Sequence, residues 1–247
     1  MRQLFLLLLL SFALNLNGQD TIRSKPREEI SKWSINLVAG PCFPLGDYGS
    51  RNLENSRAGF SMVGLSTKLR AGYQVSKNLF VTADLIWFYN PVDANASLNV
   101  YTDDHPSSTF DSYEITTNSW KTYGLMAGVS KAFAFSDITL ELKGLVGVVR
   151  GEYSNVIVKQ IDFDIDSVGI TNYKGENTTQ VAMNIGFNFK TKLNKSVGLS
   201  LGGDYFTTEM RFKKLTVEQS NGSTAGDGSY NQPVSVFQLS AGFYVEF

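Results

Sequence analysis

Residues 233–247, PVSVFQLSAGFYVEF, decide the fold of this chain. Large apolar residues or alanine occupy every second position: Phe237, Leu239, Ala241, Phe243, Val245 and Phe247. Polar or small residues, with one tyrosine, lie between them: Gln238, Ser240, Gly242, Tyr244 and Glu246. A period of two is that of a β-strand with one apolar and one polar face. Such a strand is either half-buried in a soluble sandwich or lipid-facing in a barrel wall.

The same alternation occurs in seven stretches upstream, so the chain is predicted to be all-β with eight strands. They cover about 33–40, 63–74, 79–89, 123–133, 138–148, 181–190, 197–206 and 233–247. The connections alternate between three short turns and four long polar loops. The turns lie near 75–78, 135–137 and 193–196, and the loops near 42–57, 91–117, 151–178 and 213–232. This pattern predicts an eight-stranded antiparallel up-and-down transmembrane β-barrel with periplasmic turns and outer loops.

The second face of the strands favours the barrel over the sandwich. A sandwich exposes its polar faces to water and covers them with charge. Here that face carries mainly Gly, Ser and Asn with isolated charges, which suits the narrow interior of an eight-stranded barrel. Four basic and four acidic residues are predicted to form a paired lumen charge network: Lys68, Arg70, Lys143, Lys190, Asp84, Glu141, Asp204 and Glu246. Because buried charges must be paired, this balance predicts a plugged lumen.

The N-terminus has the pattern of an export signal. Met1-Arg2-Gln3 is followed by an almost unbroken apolar run to Leu14 and then by polar residues. We predict a signal peptide over 1–18, a flexible periplasmic leader over 19–32 and a barrel domain over 33–247. The alternative is a buried N-terminal helix. Beyond residue 20 no apolar run is long enough for a membrane-spanning helix.

Composition excludes some classes of partner. The chain has 247 residues, with 22 basic and 23 acidic side chains, so its bulk charge does not suit nucleic acid. Cys42 is the sole cysteine, so no intramolecular disulfide can form. It is either a loop thiol or a packing residue, and the sequence favours packing.

Few residues are candidates for chemistry. The sole histidine, His105, follows Asp103 and Asp104 in a predicted loop. This group is considered as a catalytic Asp–His pair and as a metal site, but adjacent ligands in a flexible loop specify little. The sequence has no phosphate-binding loop, dinucleotide fingerprint or Cys/His metal spacing. We therefore predict no enzyme, cofactor or metal.

With these patterns, residues 33–247 resemble the small outer-membrane β-barrel proteins of Gram-negative bacteria. They are closest in style to the porin-like barrels of the Bacteroidetes (PorT-like and OmpX/OmpA-type). The resemblance implies that Phe243, Val245 and Phe247 match the terminal signal recognised by the barrel-assembly machinery. It also implies residence in the outer membrane, in contact with its lipid.

Two functions remain open at this point. The first is a closed, non-enzymatic barrel with a structural or surface-interaction role, carried by its long outer loops. Alternation at Val156, Val158, Ile161, Phe163 and Ile165 predicts that the fifth and sixth strands (138–148 and 181–190) project beyond the membrane as a hairpin. The edge of this hairpin could bind a surface or envelope protein by strand addition. The second is a narrow channel for ions or small solutes. An enzyme centred on His105 is the least favoured interpretation.

Overall fold

The computed structural model describes residues 32–52, 54–104, 112–162, 167–220 and 223–247. The predicted signal peptide, all but the last residue of the predicted leader, and His105 lie outside these residues. Within them, eleven strands occur: β1 (Trp33–Leu45), β2 (Gly64–Ser76), β3 (Leu79–Asn90), β4 (Ser112–Thr117), β5 (Trp120–Phe135), β6 (Ile138–Glu152), β7 (Val156–Asp162), β8 (Ser167–Lys174), β9 (Thr178–Lys192), β10 (Val197–Gln219) and β11 (Thr224–Glu246). A 3-10 helix, Gly46–Gly49, follows β1, and helix α1 spans Ala94–Asp104.

Eight of these strands form a closed antiparallel ring. The order is β1-β2-β3-β5-β6-β9-β10-β11, and β11 pairs with both β10 and β1. The ring closes where the backbone N–H of Trp33 donates to Phe247 O at 3.0 Å and that of Phe247 donates to Trp33 O at 3.1 Å. The predicted ring of eight antiparallel strands, adjacent in sequence order, is therefore confirmed.

Tight turns join three neighbouring pairs of ring strands. Lys77 and Asn78 connect β2 to β3, and Ser136 and Asp137 connect β5 to β6. Asn78 and Ser136 have φ of 70° and 50°, so each of these two turns has one residue with left-handed backbone. Residues 193–196 connect β9 to β10. All three turns lie at one end of the ring, which we call the turn end.

Secondary structure also occupies much of the four segments predicted as long loops. The segment 91–117 contains α1 and β4, and 151–178 contains the hairpin of β7 and β8. These three short strands extend the sheet from β10 in the order β8-β7-β4, outside the ring. The end of the ring where they lie is called the loop end.

The prediction of a loop over 213–232 is wrong. β10 and β11 remain paired as far as Glu218 and Thr224, with register shifts near Leu215, and only 220–223 connect them. The physical reason is that this part of the hairpin extends beyond the apolar belt of the ring. Without a lipid-facing side, a strand needs no alternation of apolar residues although its backbone pairing continues.

The outer wall of the ring is apolar and exposed. Large apolar side chains point outward from every ring strand, among them Leu37, Leu69, Leu85, Leu125, Val146, Val181, Leu201 and Phe243. The exposed fraction reaches 71% at Val181, whereas Lys68, Arg70 and Asp84 are at most 3% exposed inside. In the middle of the ring the charged side chains thus face inward and the apolar ones outward, the reverse of a water-soluble protein. In the described part of the chain, no helix is long and apolar enough to cross a membrane.

Candidate functional site: a filled lumen beneath a loop-end cleft

The middle of the barrel interior contains a continuous network of ion pairs. Seven of the eight predicted lumen charges form it, contributed by β2, β3, β6, β9 and β10. The chain of contacts runs Lys68–Asp204–Lys143–Asp84–Arg70–Glu141–Lys190. All seven side chains are 10% exposed or less, so the network is shielded from solvent.

Asp204 and Asp84 are the two central anions. Asp204 accepts from the Lys68 ammonium and lies 2.6 Å from Lys143 Nζ. Asp84 accepts two hydrogen bonds from Arg70, at 2.7 and 2.9 Å, and lies 3.5 Å from Lys143. The bidentate geometry matches the planar fork of a guanidinium. Lys143 therefore couples the two halves of the network.

Glu141 holds the other end of this network. Its carboxylate lies 2.5 Å from Lys190 Nζ and 3.8 Å from Arg70 Nη1. The Lys190 ammonium is also 5.4 Å from the centre of the Tyr244 ring, close enough for a cation–π contact.

Glycine makes room for the central ion pairs. Gly186 of β9 lies beside Lys143 on one neighbouring strand and Asp204 on the other. A Cβ at Gly186 would collide with the Asp204 carboxylate, and one at Gly202 would collide with the Asn188 amide. The inward glycines thus allow Lys143 to reach Asp204 directly.

Glu246 does not belong to the network. It lies at the turn end, its side chain is 20% exposed, and its carboxylate pairs with Lys192 at 3.1 Å. Its parity along β11 is that of the lumen side, but it sits at the rim. The predicted balance of four charges of each sign is therefore wrong for the buried network, which has four cations and three anions among the described residues.

The loop-end half of the interior is mainly apolar, with a few buried polar side chains such as Asn90 and Gln232. Side chains from six ring strands and from the 3-10 helix form one buried cluster, which we call the apolar plug: Tyr48, Ile86, Phe88, Trp120, Met126, Leu145, Val149, Ala182, Phe206, Met210, Phe212, Val234 and Val236. On the inward face of β3, the residues that come after the charged Asp84 toward the loop end are Ile86 and Phe88. On the inward face of β10, Asp204 is followed by Phe206. The Phe206 ring packs edge-on against the Phe88 ring, with 4.9 Å between the ring centroids.

Residues between β1 and β2 close the plug at the loop end. Tyr48 is 2% exposed, and its hydroxyl lies 3.4 Å from Asn90 Oδ1. The Cys42 thiol donates to the same oxygen at 3.4 Å and is fully buried, which agrees with a packing role. Trp120 Nε1 donates to the carbonyl of Gly59 at 3.0 Å. Backbone and side chains of this segment thus cover the plug.

Above the plug, a cleft of about 380 Å³ opens between the loops. Its rings form a connected cluster: Tyr153 contacts Trp120, Phe212 and Tyr230 at centroid distances of 5.6, 5.3 and 6.3 Å. Burial raises the pKa of Tyr153, so this phenol stays neutral at physiological pH. The lining side chains carry no formal charge: Ser56, Ala58, Phe60, Val92, Ser97, Ile115, Trp120, Tyr153, Ser154, Val156, Val158, Tyr173 and Tyr230, with Gly59. The cleft therefore suits an uncharged group.

The other predicted residues have simple placements. Phe243 and Val245 point outward from β11, and Phe247 is exposed at the turn end. The three side chains of the predicted assembly signal are therefore accessible from outside the barrel. Among the described residues, no group of three His, Cys, Asp or Glu side chains could hold a metal ion.

Parity along the strands places the network residues inside but does not reveal the plug. The pattern of apolar positions near the loop end is ambiguous, since Leu85, Ile86, Trp87 and Phe88 are apolar on both faces of β3. The available signal is the inward parity of Phe88, Met126 and Phe206. Tyr48 lies in the segment 42–57 and Phe212 directly precedes the segment 213–232, both predicted as loops. Alternation along the strands therefore does not predict that these two side chains are buried.

Together, the closed ring, the apolar exterior and the interior filled with side chains define a class of fold. A membrane-spanning sheet must close on itself, because lipid cannot satisfy the hydrogen bonds of a free edge. An even number of antiparallel strands with an outward apolar band is the architecture of outer-membrane barrels. The chain therefore has the architecture of a small outer-membrane β-barrel.

Solved structures similar to this chain include three with the following identity, coverage and TM-score. Neisserial surface protein A is 18% identical, with 89% of this chain and 100% of that chain covered and a TM-score of 0.44. The attachment invasion locus protein Ail of Yersinia pestis is 13% identical, with 86% and 99% covered and a TM-score of 0.41. A major outer membrane protein of Thermus thermophilus is 13% identical, with 87% and 99% covered and a TM-score of 0.46. No protein-family model and no curated protein matches the sequence.

Proposed function

We propose that this protein is a non-enzymatic, closed outer-membrane barrel whose role is structural or surface-interacting, carried by the elements at its loop end. In this proposal residues 1–18 direct export, 19–32 form a periplasmic leader, and Phe243, Val245 and Phe247 are recognised by the barrel-assembly machinery. The turn end faces the periplasm and the loop end faces outward, as is usual for barrels with turns and loops of unequal length.

The observation that carries the proposal is the filling of the lumen at two levels. The ion-pair network crosses the middle of the barrel, and the apolar plug occupies the loop-end half. An ion would have to displace paired charges and then cross packed aromatic rings, where its desolvation is costly. At the loop end, the protein presents two surface features, the aromatic cleft and the β8-β7-β4 sheet.

That sheet supports an interaction role in a specific way. β4 is the terminal strand of the sheet order and pairs with β7. A terminal strand can accept an extended segment of a partner by strand addition. The partner in this proposal is a surface or envelope protein.

Single-channel recording in a planar bilayer tests the closed lumen. The refolded protein is first shown to be folded by its faster gel migration when unboiled. We expect no steady current steps from the folded protein. Reproducible steps would contradict the closed barrel and support the channel.

Cysteine labelling on intact cells tests the orientation. In a Cys42→Ala background, Ser223→Cys at the loop end should react with a membrane-impermeant maleimide on intact cells. The matched variant Asn194→Cys, in a turn at the other end, should react only after the outer membrane is permeabilised. The reverse pattern would contradict a surface role for the loop end.

One observation favours the narrow channel as a second candidate. Gln238 is fully buried, and neither its amide oxygen nor its amide nitrogen has a hydrogen-bond partner within the described residues; the Oδ1 atoms of Asn36 and Asn184 are in the same situation. Such atoms are usually satisfied by buried water. A line of water beside the network would be the starting point of a conducting path.

A further inference from the structure

The outer wall carries a groove within the apolar belt. Two adjoining depressions, of about 380 and about 460 Å³, share Phe189, Leu201 and Ala241. They run along β9, β10, β11 and β1, from Pro41 and Phe187 toward Ile138 and Thr191 near the turn end.

Small side chains form the floor of this groove. Ala39 and Ala241 are cross-strand partners on β1 and β11, and both are exposed. Larger side chains rise around them: Leu201 and Phe243 are each 60% exposed. The groove is therefore a trough two alanines wide, bordered by aromatic and branched side chains.

The chemistry of the groove selects an acyl chain. Its outward-facing lining is almost entirely apolar, and it is continuous with the belt that contacts the membrane core. A groove of this shape buries methylene groups on three sides.

The rim at the turn end adds a charge preference. Around the turn-end rim of the groove lie Lys32, Lys192 and Lys195, all exposed. Among the described residues two carboxylate side chains lie there: Glu246, which pairs with Lys192, and Asp137, which precedes the lining residue Ile138. Lys192 directly follows Thr191, which lines the groove. Flexible lysines can extend to the headgroup level beside an apolar surface. Their excess of positive charge attracts an anionic phosphate group.

We propose that this groove binds one anionic phospholipid, its acyl chain over Ala39 and Ala241 and its phosphate at Lys195 and at Lys192, whose ammonium the phosphate shares with Glu246. The inference rests on the membrane placement of the barrel but not on a closed lumen. A conducting barrel would contradict the proposed function and leave the groove proposal standing.

Native mass spectrometry of the folded protein in detergent, titrated with phosphatidylglycerol or phosphatidylethanolamine, tests this proposal. We expect one retained phosphatidylglycerol. Ala241→Leu should lower the bound fraction about tenfold, because each methylene kept from the protein is worth about four-fold. Lys192→Gln with Lys195→Gln should remove the preference for phosphatidylglycerol, about five-fold per lysine, and leave binding of either lipid.

Ala127→Leu is the matched control, since Ala127 is an exposed outward alanine on β5, opposite β11 in the ring. It should bind lipid as the unaltered protein does. If Ala241→Leu does not give a heat-modifiable barrel, Ala39→Leu blocks the groove from the other strand. Equal binding by the groove variants and the control would overturn the proposal. So would a two-chain complex that Ala241→Leu dissolves, because a second copy would then occupy the groove.

Discussion

The two halves of the lumen are filled by opposite chemistry. Around Asp204, four buried cations and three buried anions pair with one another in a single network that keeps one excess positive charge. Toward the loop end, around Phe206, four of these strands (β3, β6, β9 and β10), together with β5 and β11, contribute aromatic and aliphatic side chains. The stability of the charged half depends on each buried charge keeping its partner. The stability of the apolar half depends on how completely the side chains fill the space. The comparison teaches that a barrel of eight strands can be filled in either way, and that one chain can use both.

The largest expected effect comes from breaking the charged half. Asp204→Asn leaves Lys68 and Lys143 without their shared counter-ion in a buried site. We expect a loss of about 3–5 kcal/mol in the free energy of unfolding, measured by urea titration in lipid vesicles. Glu246→Gln is the control, because Glu246 and Lys192 form a partly exposed pair at the rim. It should cost about 1 kcal/mol or less. Equal losses would show that the network is not buried from solvent.

The next effect breaks the apolar half. Phe206→Ala removes a fully buried ring that packs against Phe88, and we expect a loss of about 3 kcal/mol in the same assay. Phe206→Leu keeps most of the volume and should lose less than half as much. An Ala variant as stable as the unaltered protein would mean that the plug is loosely packed.

A smaller effect sharpens the boundary between the halves. Gly186→Ala places a methyl group against the Asp204 carboxylate and should cost about 2 kcal/mol through overpacking. At Gly144, on the neighbouring strand β6, an added Cβ would meet nothing within 4 Å. Gly144→Ala should therefore be neutral in the same titration. If both variants are neutral, Lys143 and Asp204 have room to separate.

The smallest effect concerns the cover of the plug. Trp120→Phe removes the hydrogen bond from Nε1 to the Gly59 carbonyl and should cost about 1 kcal/mol. Trp87→Phe, on the outward face of β3, has no such bond to lose among the described residues and should change less. A larger loss in the free energy of unfolding at Trp87 than at Trp120 would contradict the stabilising role of the Trp120 hydrogen bond.

The ring and the outward belt could be predicted because lipid imposes a strict rule. Every second residue of a spanning strand must be apolar, so the parity of Leu37 or Phe243 is visible in the sequence alone. The same parity places Asp84, Lys143 and Asp204 inside. It does not give depth, and Glu246 therefore shares their parity while lying at the rim.

The plug and the loop-end sheet could not be predicted in the same way. Inward positions such as Phe88 have no polar contrast with their apolar neighbours, so alternation fades where the lumen becomes apolar. Beyond the belt, β7, β8 and the ends of β10 and β11 pair through their backbones, and pairing depends on partners distant in sequence. A rule that considers one strand at a time does not register such partners.

Labelling of Cys42 tests the closed lumen most directly. This sole cysteine is fully buried inside the barrel, beneath the segment that contains Tyr48. In the folded protein in lipid vesicles, we predict that a small charged maleimide does not modify it over hours. After unfolding in urea it should be modified within minutes. Rapid modification of the folded barrel would show that water and solutes reach the interior from the loop end, which would contradict the account.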